Sequence, residues 1–215
     1  RQDKAERTFL QNISHELKTP VMIIRSFSQA IKDGIYPKGN LDNSIEVIDE
    51  EAERLEKKIQ NLLYFSKLQY MFKHKIEYKE FPLNILIKDV VDKLLWNRKD
   101  IDWNLDLDSI IIKGDEEQWK VVIENIIDNQ IRYAKSKISI SLDVYDNHSI
   151  LQIWNDGPHI EQNIMDNLFS EYNKGYSGKF GLGLAIVYRI LKINNSSIKA
   201  INEKVGVRFV IEINH

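Results

Sequence analysis

The chain has 215 residues, 43% hydrophobic and 29% charged, which is the profile of a globular protein with room for one large domain or two small ones, and excludes a disordered chain. Thirty Lys and Arg against 32 Asp and Glu leave a formal charge of -2, which excludes broad electrostatic attraction to nucleic acid or anionic lipid but not a local cationic site. There is no Cys, hence neither a disulfide framework nor a thiolate metal site, and no apolar run approaches the ~20 residues that span a bilayer.

Gln2 to Asp33 reads as a long helix, because Phe9, Ile13, Leu17, Ile24, Phe27 and Ile31 recur about every three or four residues, with a local kink predicted at Pro20. Gly34 to Asn40 supplies turn chemistry. From Leu41 to about Phe72 there is neither Gly nor Pro, and Ile45, Ile48, Ala52, Leu55, Ile59 and Leu62 form a coiled-coil seam. The first 72 residues therefore read as a helical hairpin with arms about 45 Å long. Both apolar faces are wider than one partner covers, so homodimerisation into a four-helix bundle is expected.

Within the first helix, "NISHELKTP" nearly spells a zinc site, but Thr19 stands where His-Glu-x-x-His needs its second ligand. A hydroxyl is not a usual zinc ligand, so chemistry at His15 is of another kind.

After a charged connector, Lys73 to Lys79, the pattern changes to mixed strand and helix. Strands are expected at Ile76 to Leu83 and Ile101 to Leu107, around a helix at Asn84 to Arg98. A helix at Glu116 to Ala134 follows, then the alternating runs Lys137 to Tyr145 and Ser149 to Trp154, joined as a hairpin at Asp146-Asn147. Helices at Glu161 to Leu168 and Leu184 to Ile193 precede strands near Ser197 to Ile201 and Val205 to Ile213. The C-terminal part is thus expected to be an α+β two-layer sandwich, helices on one face of a largely antiparallel sheet.

Four of the nine Gly lie between Gly175 and Gly183, directly before a predicted helix. There backbone amides can approach an anion and the helix N-terminus adds partial positive charge. The segment matches neither a P-loop nor a Rossmann turn. Upstream, "ENIIDNQIRY" puts Asn125 and Asn129 on one helix face, with Arg132 and Tyr133 a turn beyond. Asn carbonyl oxygens suit Mg²⁺, a hard cation that takes the rest of its shell from water and phosphates. "NDGPHI", Asn155 to Ile160, ends a strand in a tight turn that can present an acceptor to an adenine amino group.

In this order and spacing these segments resemble the catalytic core of bacterial sensor histidine kinases, a dimerisation and phosphoacceptor hairpin followed by a Bergerat-type ATP-binding domain. The likeness runs from about Phe9 to Ile213: "FLQNISHELKTP" looks like the phosphoacceptor box, "NIIDNQIRY" the asparagine box, "NDGPHI" the first glycine box, "LFSEYNKG" the phenylalanine box and "GLGLAIV" the second glycine box. The resemblance implies an ATP- and Mg²⁺-dependent kinase that phosphorylates His15, with Glu16 as its base or hydrogen-bond partner, and then passes the phosphoryl group to an Asp of a response regulator receiver domain. It makes Asn129 the Mg²⁺ ligand, supported by Asn125, and sets Arg132 and Tyr133 beside the phosphates and base. Asn155, Asp156 and Gly157 would meet adenine; Phe169, Tyr172 and Lys174 would anchor one end of a lid, and Gly181, Leu182 and Gly183 would close the other.

Glu16-x-x-Thr19 resembles the family pattern for phosphatase activity toward the regulator; the alternative is that Thr19 only caps or packs beside Pro20. Departures from the family are Asn155 or Asp156 where one Asp is usual, Gln130 for a small residue, His159 for a Gly, and a short lid at about Asn173 to Phe180. The expected division is 1–72 dimerisation and phosphoacceptor hairpin, 73–80 linker and 81–215 ATP-binding domain. By the same resemblance this is a cytoplasmic portion without membrane contact of its own, anchored through segments upstream of Arg1. The rival expectation is a dimeric signalling adaptor that keeps the fold with weak or no catalysis.

Overall fold

The computed structural model describes residues 2–71, 78–95, 100–166, 168–169 and 182–214. The chain divides into two compact units, the first holding the N-terminal residues through Lys67, the second running from Leu68 to Ser170 and resuming at Gly183.

The first unit is built on α1 (Gln2–Lys32) and α2 (Leu41–Met71). α1 ends in a Schellman arrangement, in which the Ile35 N–H reaches the Ala30 carbonyl at 2.8 Å and Gly34 adopts φ 74°. Asn40 then caps α2, its side-chain oxygen accepting the Asn43 N–H at 2.8 Å. Along the helices Met22, Ile45, Ile59 and Leu63 remain exposed, Met22 at 67% and Leu63 at 66%. Exposed apolar side chains in that number are the kind of surface that takes part in interactions.

The second unit contains β1 (Lys79–Pro82), α3 (Leu83–Leu95), β2 (Asp102–Leu107), β3 (Ile111–Gly114), α4 (Glu116–Tyr133), β4 (Lys137–Val144), β5 (His148–Asn155), α5 (Gln162–Met165), α6 (Gly183–Ile193), β6 (Ser197–Asn202) and β7 (Val207–Asn214). The main sheet runs β2-β4-β5-β7-β6; β2 and β4 pair parallel and the other neighbours antiparallel, so the sheet is mixed. The parallel pair needs a crossover, and α4 supplies it. Period-two alternation buries Ile138, Ile140 and Leu142 of β4, Leu151 and Ile153 of β5, and Phe209 and Ile211 of β7. Trp119, Ile123, Ile126 and Ile127 of α4 and Ile186, Val187 and Ile190 of α6 are also fully buried, completing the α+β sandwich.

Several expected boundaries shift. β3 was not anticipated; it pairs antiparallel with β1 in a separate two-stranded sheet and buries a single large side chain, Ile112, too little to stand out as a period. The strand expected from Ile76 begins at Lys79, and residues 72–77 lie outside the described part. α3 is described as far as Leu95, and the rest of the expected helix to Arg98 lies outside. The helix expected over Glu161 to Leu168 is one turn, Gln162–Met165, with no side-chain cap at Glu161 and no buried residue. Neither capping nor packing offsets the cost of nucleation there.

Candidate functional site

In α1, His15 is exposed, while Glu16 is half-buried. The Thr19 hydroxyl donates to the His15 carbonyl at 3.2 Å, the back-bond open to a Thr one turn on. Pro20 is buried and lies inside the helix. A proline has no N–H, so the Glu16 carbonyl loses its helical donor. Lys58 of α2 donates to that carbonyl at 3.0 Å, and its ammonium lies 3.7 Å from the Glu16 carboxylate. Burial pushes the Glu16 carboxyl above its ordinary range, with the Lys58 charge and contact opposing the rise.

In the second unit, three elements converge: the exposed-side face of α4, the turn after β5 and the start of α6. Asn125 and Asn129 are both half-buried, one turn apart on α4. The Asn125 amide donates to the Val121 carbonyl at 2.8 Å, which leaves Oδ1 as its acceptor. That oxygen lies against α6, because a Cβ placed on Gly183 would come within 2.4 Å of it. A larger residue at position 183 would require the Asn125 amide to swing aside. Leu182 precedes it, half-buried; Arg132 is exposed and Tyr133 half-buried at the end of α4.

The β5 alternation carries Asn155 onto the inner face, in register with Ile138 and Val207. It is 2% exposed. Its Nδ2 donates to the Gln130 carbonyl at 3.2 Å and its Oδ1 accepts the Gly157 N–H at 3.0 Å, so the amide has one orientation. The oxygen retains a second lone pair. Asp156 is engaged elsewhere: its carboxylate accepts the N–H groups of Lys135 at 2.9 Å, Ser136 at 3.0 Å and Lys137 at 3.1 Å, and the Ser136 hydroxyl at 2.7 Å. Burial raises its pKa, but these bonds outweigh it and bring it to about 2. Of the two candidate adenine acceptors, the one with spare capacity on the inner face is Asn155.

Gly157 touches the end of α4 so closely that a Cβ would lie 2.2 Å from the Tyr133 carbonyl oxygen. Gln130 is 1% exposed, and its Oε1 has no hydrogen-bond partner among the described residues. The backbone of His159, where the family pattern has a glycine, stays out of the positive-φ region. Phe169 packs edge-on against Phe209, ring centroids 5.8 Å apart. Tyr172, Lys174 and Gly181, with the expected lid, lie outside the described residues.

Among the described residues no group of three His, Asp or Glu is placed to hold a metal ion by itself. The neutral oxygens of Asn125 and Asn129 instead fit a hard cation that keeps water and phosphate ligands. Sequence reasoning missed Lys58 and the backbone cage around Asp156. The missing N–H of Pro20 signals that the Glu16 carbonyl needs a donor, but not which one.

Residues 5–70 match the His Kinase A (phospho-acceptor) domain, and residues 114–215 match the histidine kinase-, DNA gyrase B- and HSP90-like ATPase family. The chain is 49% identical over 212 residues to the sensor histidine kinase CssS of Bacillus subtilis, covering 98% of this chain and 47% of that protein. It is 30% identical to the sensor protein DltS of Streptococcus agalactiae, over 97% of this chain and 54% of that one; the chain therefore spans about half the length of these relatives. Among solved structures, the histidine kinase AdeS of Acinetobacter baumannii matches with TM-score 0.77 at 27% identity, covering 93% of this chain and 97% of that one. The histidine kinase ThkA, solved in complex with the response regulator protein TrrA, matches with TM-score 0.78 at 26% identity, covering 95% of this chain and 60% of that one. With a phospho-acceptor hairpin and an ATPase-type sandwich in that order, the chain belongs to the sensor histidine kinases and comprises their catalytic core.

Proposed function

We propose that this chain phosphorylates itself on His15 with ATP as donor and passes the phosphoryl group to an Asp of a response regulator receiver domain. The observation that carries the reading is an exposed histidine followed by a half-buried, cation-paired glutamate, in a chain whose other unit presents an asparagine face against a helix N-terminus. One nitrogen of the neutral His15 ring attacks the γ-phosphorus as the bond to the bridging oxygen breaks and ADP leaves with the electron pair. The other ring N–H donates to Glu16, which holds the tautomer and offsets the positive charge that develops. The likeness to ThkA, solved with a response regulator, supports the choice of acceptor.

ATP is held by Asn155 at the adenine amino group beside Asp156 and Gly157, and by Arg132 and Tyr133 at the phosphates and base. Phe169, Leu182 and Gly183 border the nucleotide, and the proposal extends to Tyr172, Lys174 and Gly181, which lie outside the described residues. Asn129, supported by Asn125, would hold Mg²⁺, which would supply neutralisation of the phosphate charge. Thr19 commits its hydroxyl hydrogen to the His15 carbonyl; its oxygen then accepts from a water aimed at the regulator's aspartyl phosphate. A second copy of the hairpin covers the exposed Met22, Ile45, Ile59 and Leu63 and makes a four-helix bundle. The division proposed is 1–72, 73–80 and 81–215, with membrane anchoring by segments upstream of Arg1 in the full-length protein.

Incubation with labelled ATP and Mg²⁺ tests this: the chain should acquire an acid-labile, base-stable phosphate, and its persistence in His15→Gln would sink the assignment. The buried Gln130, and an Asn155 already engaged by two bonds, favour one second reading, a non-catalytic adaptor. Absence of any thermal shift at millimolar ATP would decide for it, since a ligand of the folded state must stabilise it.

A further inference from the structure

The Lys58 ammonium makes two contacts with one residue, and they differ in kind. The ion pair with the Glu16 carboxylate, at 3.7 Å, is longer than a hydrogen bond, and such pairs near the surface contribute little. The bond to the Glu16 carbonyl, at 3.0 Å, is a charge-assisted hydrogen bond to a group that α1 cannot satisfy by itself. In an α-helix that carbonyl receives the N–H of the residue four places on. Here that residue is Pro20. The sequence thus opens a gap in the helix ladder at the residue after His15, and a side chain 42 positions away closes it.

We propose that Lys58 is the positioning residue of the phospho-acceptor turn: it supplies from α2 the hydrogen bond that Pro20 withholds from Glu16, and in the same pose holds the Glu16 carboxylate. Two consequences follow. First, α2 is stapled to α1 at the turn bearing His15, which holds the Glu16 backbone against the distortion that a proline introduces. Second, the Glu16 side chain, three-quarters covered, gains a cation that favours its ionised form. Lys58 is the charged group of α2 that pairs with it; the nearest charged or titratable residues along α1 are His15 and Lys18. Burial works toward the neutral acid, which keeps only an uncharged, weaker acceptor for an imidazole N–H and no negative charge to offset the positive charge that develops on the ring. Lys58 counters that tendency.

This inference builds on the proposed roles of His15 and Glu16, and two measurements keep its fate separate from theirs. The first is a double-mutant cycle on the whole chain. Lys58→Met should lower the thermal midpoint of the helix signal in the wild-type background and lower it less when Pro20→Ala has restored the missing N–H. Strict additivity of the two substitutions would overturn the staple. The second is a carbon NMR titration of the Glu16 carboxyl, assigned through Glu16→Gln. Its midpoint should move to higher pH in Lys58→Met and return toward the wild-type value in Lys58→Arg; an unmoved midpoint in Lys58→Met would overturn the electrostatic part. If the kinase reading holds, the acid limb of the autophosphorylation rate moves with that midpoint, whereas a merely structural defect lowers the rate equally at all pH. Should Glu16→Gln leave autophosphorylation unchanged, the role assigned to Glu16 fails while both measurements on Lys58 still decide.

Discussion

Replacing Asp156 by Asn tests whether the turn after β5 is held by charge or by shape alone. The wild-type carboxylate takes the backbone N–H groups of Lys135, Ser136 and Lys137 and the Ser136 hydroxyl at 2.7–3.1 Å. Asn keeps one oxygen for the donors at Oδ1, but its NH₂ stands where Oδ2 met the Ser136 N–H at 3.1 Å, setting donor against donor. A hydrogen bond to a charged group contributes about 1.5–3 kcal/mol and a neutral one about 0.5–1.5. The difference over three backbone bonds, reduced for the partial solvent exposure of the site, is roughly 1–2 kcal/mol.

The pH dependence separates charge from shape. The folded-state pKa of about 2 lies below the ordinary 3.8, so the contribution of Asp156 is fully present above about pH 4 and is lost as pH falls through 2. Urea unfolding followed by tryptophan fluorescence reports on this unit, since Trp96, Trp103, Trp119 and Trp154 all lie outside α1 and α2. The gap between Asp156→Asn and wild type should be about 1–2 kcal/mol at pH 7 and shrink toward pH 2. An equal gap at both pH values, or none at pH 7, would refute the reasoning.

Gly157→Ala should destabilise the same unit by about 1–3 kcal/mol in urea, because its Cβ meets the Tyr133 carbonyl, a backbone atom that cannot swing aside. Asn155→Ala leaves the Gly157 N–H without its partner and removes one of two donors from the Gln130 carbonyl, which keeps the Ala134 N–H, an expected loss of roughly 1–3 kcal/mol by denaturation. Thr19→Ala should retain autophosphorylation yet lose dephosphorylation of the regulator; equal dephosphorylation rates in mutant and wild type would rule that role out. Asn129→Ala should lower the thermal shift given by ATP with Mg²⁺ while leaving the stability of the unliganded chain within about 0.5 kcal/mol of wild type, as a half-buried helix position permits.

The parts legible in the sequence are those whose signal is local. The three-four spacing of Ile45, Ile48, Ala52 and Leu55 prescribes a helix seam because side chains so spaced share one face. The alternation from Ser149 to Trp154 prescribes a strand, and extending it by one residue already points Asn155 inward. Asn125 and Asn129 must share a face on any α-helix. What was misjudged lacked such a period: β3 buries one large side chain, and α5 none.

The sequence by itself determined the helical hairpin, the alternating strands and the order of the boxes, because periodicity and turn chemistry act between residues close along the chain. It also recorded that Pro20 leaves a carbonyl open, and it left Asn155 and Asp156 as alternative acceptors for the proposed adenine. Only the tertiary structure decided that Lys58 closes that gap, that β2 runs parallel to β4, and that Asp156 commits its acceptor capacity to residues 135–137 while Asn155 lies inward against Gln130. Each is a pairing between groups far apart in the chain, where many candidates offer the same chemistry. Only packing brings one of them within hydrogen-bonding distance.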